Sequence, residues 1–302
     1  MPELPEVETV VRRLREPIVG RTIVGVSLDW NRMVGRPTPA EFRRRLPGRT
    51  VLSIDRRAKY LVFALSERPE QSATKATPGG PGHVPCDARV ARQAARAATP
   101  THFLLIHLKM SGRLNVVAGE EPPNKHDHVI FDLDDGRQLR FNDIRKFGRV
   151  YLLNDPEEVT GKHGPEPLDP AFTLPNFRKL VKSRSGAIKP LLLNQTFLAG
   201  VGNIYADESL WRAKIHPLRT AASLKAAEIA ALYRSIRQTL RQAIRDQGTD
   251  AGDGVIAGGD YRPRVYGREG RPCQRCHQPI RKITVGQRGT HYCARCQPKR
   301  GQ

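Results

Sequence analysis

The sequence has no apolar run approaching the ~20 residues that span a bilayer, and its first residues lack the apolar stretch of a secretory signal. These absences argue against a helical membrane protein, so the expectation is a soluble, cytoplasmic one. Acidic residues are also short: 30 Asp+Glu face 51 Lys+Arg, a formal charge of +21. That excess points to a polyanionic partner, DNA or RNA first, and leaves a merely solvated basic surface as the plain alternative. A membrane surface fits less well, because the basic residues are spread over the chain. Cysteine is nearly missing outside one place: of five, Cys86 stands alone in a polar region, and four fall within the last thirty residues. The 302 residues suit about two domains, and 38% hydrophobic content is low but enough for globular cores.

Residues 1–155 read mostly as strands, in "RTIVGVSLDW", "TVLSIDRRAKYLVFAL", "THFLLIHLKMSGRLNVV", "HVIFDLDDGRQLRFND" and "GRVYLLND". Asp135-Gly136 marks a hairpin turn. The segment from Pro5 to Arg15 has Val7, Val10, Val11 and Leu14 at helical spacing, so a helix leads a β-sandwich or barrel. Residues 67–100, rich in Ala, Pro, Gly and Arg, read as a disordered insert. Its "ARVARQAARAA" part is either a short basic helix or a solvated loop. A linker follows at 156–170, then helical patterns over 171–263. In a long helix from Ser223 to Gln247, Ile229, Leu232, Ile236, Leu240 and Ile244 make an apolar stripe, with Ser223 as N-cap and Gly248 at C′. In "NQTFLAGVGNIYADESLWRA", Gly200 and Gly202 either admit a phosphate to the helix N-terminus or merely make a turn. The fold class is α+β and multidomain.

Residues 264–298 hold Cys273, Cys276, Cys293 and Cys296 as two C-x2-C pairs. Two such knuckles close a tetrahedral zinc site of four thiolates, structural because every position is filled by protein. Two disulfides are the alternative, which a reducing compartment opposes. The segment between the pairs alternates like a β-hairpin turning at "GQRG", with Arg288 at its tip.

The first ten residues, "MPELPEVETV", carry Glu3, Glu6 and Glu8 and no basic side chain. Removal of the initiator methionine would expose the secondary amine of Pro2. An α-amino group, with a pKa near 7.7–8.0, is roughly a hundredfold more often unprotonated at neutral pH than a lysine near 10.4. Such an amine can attack a sugar C1′ to give a cationic iminium, with glutamates beside it moving protons. The plain alternative is a proline at a helix start, with acids favouring the helix dipole.

"MPELPEVET" resembles the start of formamidopyrimidine-DNA glycosylases, and so, in the family's order, do "RRAKYL", "HLKMSG", "KHDHV", "DIRKFG", "GPEPL", "AIKPLLL", "GVGNIYADE", "IHP", "VYGREG" and the four-cysteine tail. The resemblance covers nearly everything except residues 67–100 and about 249–263. It implies a β-sandwich with a leading helix, a helix-two-turn-helix domain and a zinc finger. It also implies a bifunctional glycosylase/AP lyase that excises oxidised purines, such as formamidopyrimidines or 8-oxoguanine opposite cytosine, and cleaves the strand by β,δ-elimination.

By similarity, Pro2 is the Schiff-base nucleophile, Glu3 the acid/base at the sugar and Glu6 a support for the cation. Lys59 resembles the proton donor of β-elimination, and Arg288 the arginine of δ-elimination that grips flanking phosphates. Met110, Arg145 and Phe147 resemble the trio that fills the void left by a flipped nucleotide; core packing is the plain alternative for Met110 and Phe147. His126, Arg184 and Asn203 resemble phosphate contacts, with Lys146 adding charge. The family implies one zinc, a duplex DNA partner and a monomer. Lys109, His291 and a shorter, Gly- and Asp-rich loop at 249–263 depart from its pattern. The loop leaves open a preference for oxidised pyrimidines or abasic sites. A non-catalytic nucleic-acid-binding zinc protein is the reading from another class.

Overall fold

A computed structural model describes residues 2–67, 99–250 and 258–299. Cys86, nearly all of the 67–100 insert and the centre of the 249–263 loop lie outside the described residues. The chain divides into two compact units. One comprises Val10–Arg56 and Tyr60–Val159, with Met1; the other comprises Pro2–Thr9, Arg57–Lys59 and Thr160–Gln302.

The first unit is built on strands. They are β1 (Thr22–Leu28), β2 (Val34–Arg36), β3 (Arg49–Arg57), β4 (Tyr60–Leu65), β5 (His102–His107), β6 (Arg113–Ala118), β7 (Asp127–Leu133), β8 (Arg137–Asn142) and β9 (Arg149–Leu153). Hydrogen bonding does not divide them into two separate sheets: the order β2-β9-β5-β4-β3-β1-β7-β8-β6 is continuous. Only β2 and β9 among the described pairs run parallel. The Asp135-Gly136 turn joins β7 to β8, with Gly136 at φ 80° as the turn requires. A short helix α2 (Pro39–Arg45), missed in the sequence, starts at a capping box between Thr38 and Glu41.

Helix α1 (Leu4–Ile18) forms as its stripe predicts. Leu4, Val7, Val11, Leu14 and Ile18 recur at three and four residues, and all are buried.

The short helix α3 (Glu157–Thr160) closes the first unit's last segment, and the second unit holds α4 (Leu174–Lys182), α5 (Ile188–Leu193), α6 (Asn203–Ala213), α7 (Ala226–Arg245) and the hairpin β10 (Arg281–Val285) and β11 (Arg288–Tyr292). Ile229, Leu232, Ile236 and Leu240 of α7 enter the core with Phe177, Phe197 and Tyr205; Ala243 takes the next inward position and Ile244 is only partly buried. Both expected caps of α7 shift. Ser223 lies in a 3-10 turn, and the helix begins at Ala226 because Glu228 turns back to accept the Lys225 N–H at 2.8 Å. At the far end C′ is Gln247, at φ 56°, not Gly248. Gly248 N donates to Ala243 O and Gln247 N to Ile244 O, the two bonds of a Schellman motif.

Helix α6 is buried from Ile204 to Trp211, carboxylates included. Glu208 accepts the backbone N–H groups of Arg264 (2.8 Å), Val265 (2.8 Å) and Tyr266 (3.0 Å), so it fixes the segment that enters the zinc ribbon. Removing a buried acceptor with three donors orphans all three. Glu208→Ala should therefore cost on the order of 3 kcal/mol in urea unfolding; a change below about 0.5 kcal/mol would contradict this role.

Candidate active site and nucleic-acid interface

Glu3 stands just before α1, and its carboxylate lies on the N-terminus of α6. Oε2 accepts from Gly202 N at 2.8 Å and Tyr205 N at 3.3 Å, and Oε1 from Ile204 N at 2.9 Å. These N–H groups have no partner inside the helix, and the dipole favours an anion there. The glycines before α6 serve this contact. A Cβ on Gly202 would sit 2.4 Å from Glu3 Cδ, and one on Gly200 2.8 Å from Leu4 Cδ1. They admit the N-terminal segment, where the sequence suggested room for a phosphate. Gln195 shapes the turn, accepting from Gly200 N and donating to the Leu193 and Val201 carbonyls.

Glu6 is one helical turn further on. Its Oε2 accepts the Glu3 N–H at 2.9 Å; its Oε1 accepts the Thr249 N–H at 2.9 Å and the Tyr205 hydroxyl. Burial, reinforced by the Glu3 charge, pushes the Glu6 carboxyl up to about 7. Burial also raises Glu3, against the pull of Lys59 and of the Ile204 and Tyr205 N–H groups. Lys59 sits in the two-residue turn between β3 and β4, where Ala58 is left-handed at φ 54°. Only 6% of Lys59 is exposed, and burial lowers its ammonium; Glu3 and Glu6 oppose that shift, and Arg288 adds to it. Pro2 is buried beside them in sequence. Glu3, Glu6, Lys59 and Arg288 thus share one electrostatic neighbourhood.

Arg288 begins β11 directly after the left-handed pair Gly286-Gln287, which forms the two-residue turn of the hairpin. The hairpin is held from below. Lys189 Nζ lies 2.7 Å from Asp207 Oδ1 and donates to Thr290 Oγ1 at 2.7 Å and Gly289 O at 3.2 Å. Asp207 Oδ2 accepts His291 N at 2.8 Å. Asn203, expected at a phosphate, donates from Nδ2 to Gly289 O at 3.0 Å. Arg184 lies exposed just past α4.

Cys273, Cys276, Cys293 and Cys296 bring their sulfurs within 4.8 Å of one another. The pair distances of 3.9 Å (Cys273–Cys296) and 3.4 Å (Cys276–Cys293) bracket the about 3.8 Å edge of a tetrahedron with ~2.3 Å zinc–sulfur bonds. Each knuckle turns a backbone N–H toward its first sulfur: Arg275 N, two residues on, faces Cys273 Sγ, and Cys296 N, three residues on, faces Cys293 Sγ, both at 3.5 Å. The donor set fits one structural zinc and leaves no open position. Arg275 stacks 3.8 Å from the Trp211 ring centroid and donates to the Trp211 and Arg212 carbonyls, tying the first knuckle to the end of α6. Gln297 ties the second, through Cys293 N and Ile215 O.

In the strand unit, Met110, Arg145 and Phe147 come together. Arg145 Nη1 lies 3.2 Å from Met110 Sδ, and its guanidinium carbon 5.9 Å from the Phe147 ring centroid. Phe147 is 51% and Met110 39% exposed, which removes core packing as an explanation for either. Lys146 stands 4.4 Å from the centroid of Trp30, and half-buried His126 lies two residues before His128, which is buried and meets the exposed Asp29. Sequence reasoning missed Tyr205, Thr249, Lys189, Asp207 and Trp30. The contacts that give them a role, Tyr205 and Thr249 with Glu6, Lys189 with Thr290, Asp207 with His291 and Trp30 with Lys146, join distant parts of the chain, so no local spacing announces them.

The family models for the Formamidopyrimidine-DNA glycosylase N-terminal domain, its H2TH domain and the zinc finger found in FPG and IleRS match residues 1–150, 163–253 and 270–299. The chain is 44% identical over 305 residues to the Formamidopyrimidine-DNA glycosylase of Roseiflexus sp. (strain RS-1), covering 98% of this chain and 100% of that one. It is similar to the solved structure of MutM in complex with DNA containing carbocyclic 8-oxo-G (TM-score 0.82, 35% identity, 99% and 100% covered). It is also similar to wild-type Lactococcus lactis Fpg with DNA containing an oxidized pyrimidine (TM-score 0.81, 35% identity, 99% and 100% covered).

Two outcomes check this geometry. Between pH 4.5 and about 7 the folded protein retains the Glu6 proton that the unfolded chain releases, so this group's contribution to stability falls as pH rises through that window. Wild type should lose up to about 1.4 kcal/mol per pH unit relative to Glu6→Gln there; parallel stability curves would refute the raised Glu6. Native mass spectrometry should find one zinc per chain, and stripping it should free four thiols and weaken DNA cleavage while most helical circular dichroism survives. Unchanged cleavage by zinc-free protein would separate the ribbon from the reaction.

Proposed function

The chain belongs to the formamidopyrimidine-DNA glycosylase family, and on that premise we propose how its own residues carry the reaction. It is a DNA glycosylase of base excision repair acting on lesion-containing DNA, and AP lyase activity is part of the family. One observation carries the residue assignment: the buried Glu3 carboxylate, clamped by three backbone N–H groups, joins Glu6, Lys59 and Arg288 around the Pro2 end of the chain.

The Pro2 secondary amine attacks C1′ of the damaged nucleotide. The C1′–N bond to the base breaks, its electron pair leaves with the base, and the departing base takes up a proton. The Pro2 nitrogen then passes its proton to Glu3, which delivers one to O4′; the C1′–O4′ bond breaks with its electron pair on O4′, and the nitrogen lone pair closes the C1′=N iminium, which acidifies the C2′ hydrogen. Glu3, whose carboxyl is raised by burial, moves protons at the sugar during ring opening. Glu6 supports the cation. Lys59, lowered by burial, gives up a proton readily and serves β-elimination and phosphate contact. Arg288 serves δ-elimination and holds flanking phosphates.

Met110, Arg145 and Phe147 fill the void in the stack, with Arg145 toward an orphaned cytosine. His126, Arg184 and Asn203 contact phosphates, Asn203 through its second amide hydrogen, and Lys146 adds charge. The preferred substrate is an oxidised purine, formamidopyrimidine or 8-oxoguanine opposite cytosine, in line with the relatives' name and the MutM complex. The oxidized-pyrimidine complex of the Lactococcus relative supports a wider range as second reading. No described helix is long and apolar enough to cross a membrane, and the relatives are bacterial; we place the protein in the bacterial cytoplasm, on the nucleoid, as a monomer.

Borohydride should trap a covalent adduct on duplex DNA with 8-oxoguanine opposite cytosine, and an uncleaved N-terminal extension that blocks Pro2 should abolish it. Trapping on an abasic duplex alone would keep the lyase and reassign base preference. No adduct on either, from folded zinc-loaded protein, would leave a binding protein.

A further inference from the structure

Strands β6 and β8 pair antiparallel, with Leu114 opposite Phe141 and Arg113 opposite Asn142. The loop that enters β6, residues 108–112, and the loop that leaves β8, residues 143–148, therefore emerge side by side at one end of the pair. The first carries Met110 and the second Arg145 and Phe147. All three tips are exposed, so no core packing of their own aligns them. Both loops contain a left-handed non-glycine residue, Lys109 at φ 55° and Lys146 at φ 57°, a backbone state that needs support from its surroundings.

Two buried groups at the root supply that support. The first is the Phe141 ring, against which both loops close. A Cβ on Gly112 would lie 2.6 Å from Phe141 Cε2, and one on Gly148 2.4 Å from Cζ. The second is Asp143, which has no exposed surface. Its Oδ1 accepts from the Ser111 hydroxyl, in the first loop, and from Arg145 N at 3.2 Å, in the second. Its Oδ2 accepts from Gly148 N at 2.7 Å, where the second loop ends. Its own N–H donates to His126 O at 3.0 Å, and its carbonyl accepts from Lys146 N at 3.1 Å.

We infer that Asp143 is a positioning residue that holds the two loops in register, so that Met110, Arg145 and Phe147 enter the duplex as one unit. A carboxylate is required because it offers acceptors on both oxygens. An amide of the same shape retains one oxygen and turns an N–H group toward a donor. The inference rests on the void-filling role proposed above for the three tips. It also has a limit that makes it testable: the loops matter where a helix must be opened, and not where the sugar is already exposed on a single strand.

Asp143→Asn should lower kcat/KM for excision from the 8-oxoguanine:cytosine duplex by about 10- to 100-fold, the scale of a misplaced positioning group. It should also narrow the preference between cytosine and adenine opposite the lesion. Borohydride trapping on a single-stranded abasic oligonucleotide should stay within about twofold of wild type, because every group at the sugar remains. Equal losses on both substrates would make Asp143 a plain stabiliser of the fold and overturn the proposal; so would an unchanged duplex rate. If Asp143→Asn does not fold, Ser111→Ala decides. It removes one of the three side-chain bonds and should give a smaller loss, again on the duplex only; no loss there would equally overturn the inference. Wild type run beside them keeps the two readings apart: failure of wild type to excise from the duplex strikes the functional reading, whereas a wild-type rate in both variants strikes only the role of Asp143.

Discussion

The contact on which most of the second unit depends is the one between Glu3 and the N-terminus of α6. A carboxylate taken out of water is costly unless its oxygens are occupied. Here three backbone N–H groups occupy them, and the helix dipole adds to the attraction. Helix and carboxylate each answer a deficiency of the other. The same contact dictates glycine at 202, where any side chain would collide with Glu3, and it sets the chain start against the turn that Gln195 closes. The segment that carries Pro2 is thus located by backbone geometry.

Helix α6 extends that order to the zinc ribbon. Its N-terminus receives Glu3, its middle presents Asp207 and Glu208, and its end meets Trp211, Arg275 and Gln297. Buried from Ile204 to Trp211, that stretch has no face for solvent, and its carboxylates bond to neighbouring segments. Burial has a chemical side as well. It drives Glu3 and Lys59 toward their neutral forms together, while their mutual attraction works the other way.

Much of this was legible in the sequence where the signal is local. The stripe of α1, the hairpin at Asp135-Gly136 and the two cysteine knuckles depend on spacings of two to four residues, and they formed as read. The helix caps were misplaced because the decisive partner was elsewhere: Glu228, not Ser223, fixes the start of α7. Helix α2 went unread because its capping box precedes only seven helical residues. The supports of the site were invisible for a related reason. Lys189 acts on Thr290 and Glu6 on Thr249, and a sequence read in windows contains neither pair. The function-bearing motifs were legible through resemblance; from composition alone, Met110 and Phe147 would have been assigned to the core that the structure shows they leave.

The anchors of the zinc hairpin mostly grip main-chain atoms: Asn203 and Lys189 at the Gly289 carbonyl, Asp207 at His291 N. Docking of this kind does not depend on which side chains the hairpin carries at its outward positions, such as Arg281, Thr284, Gln287 and Arg288. Placement and identity are separate variables there. The fold therefore works as a socket into which different fingertips can be written, and drift or engineering at those positions can alter what the hairpin touches without relocating it.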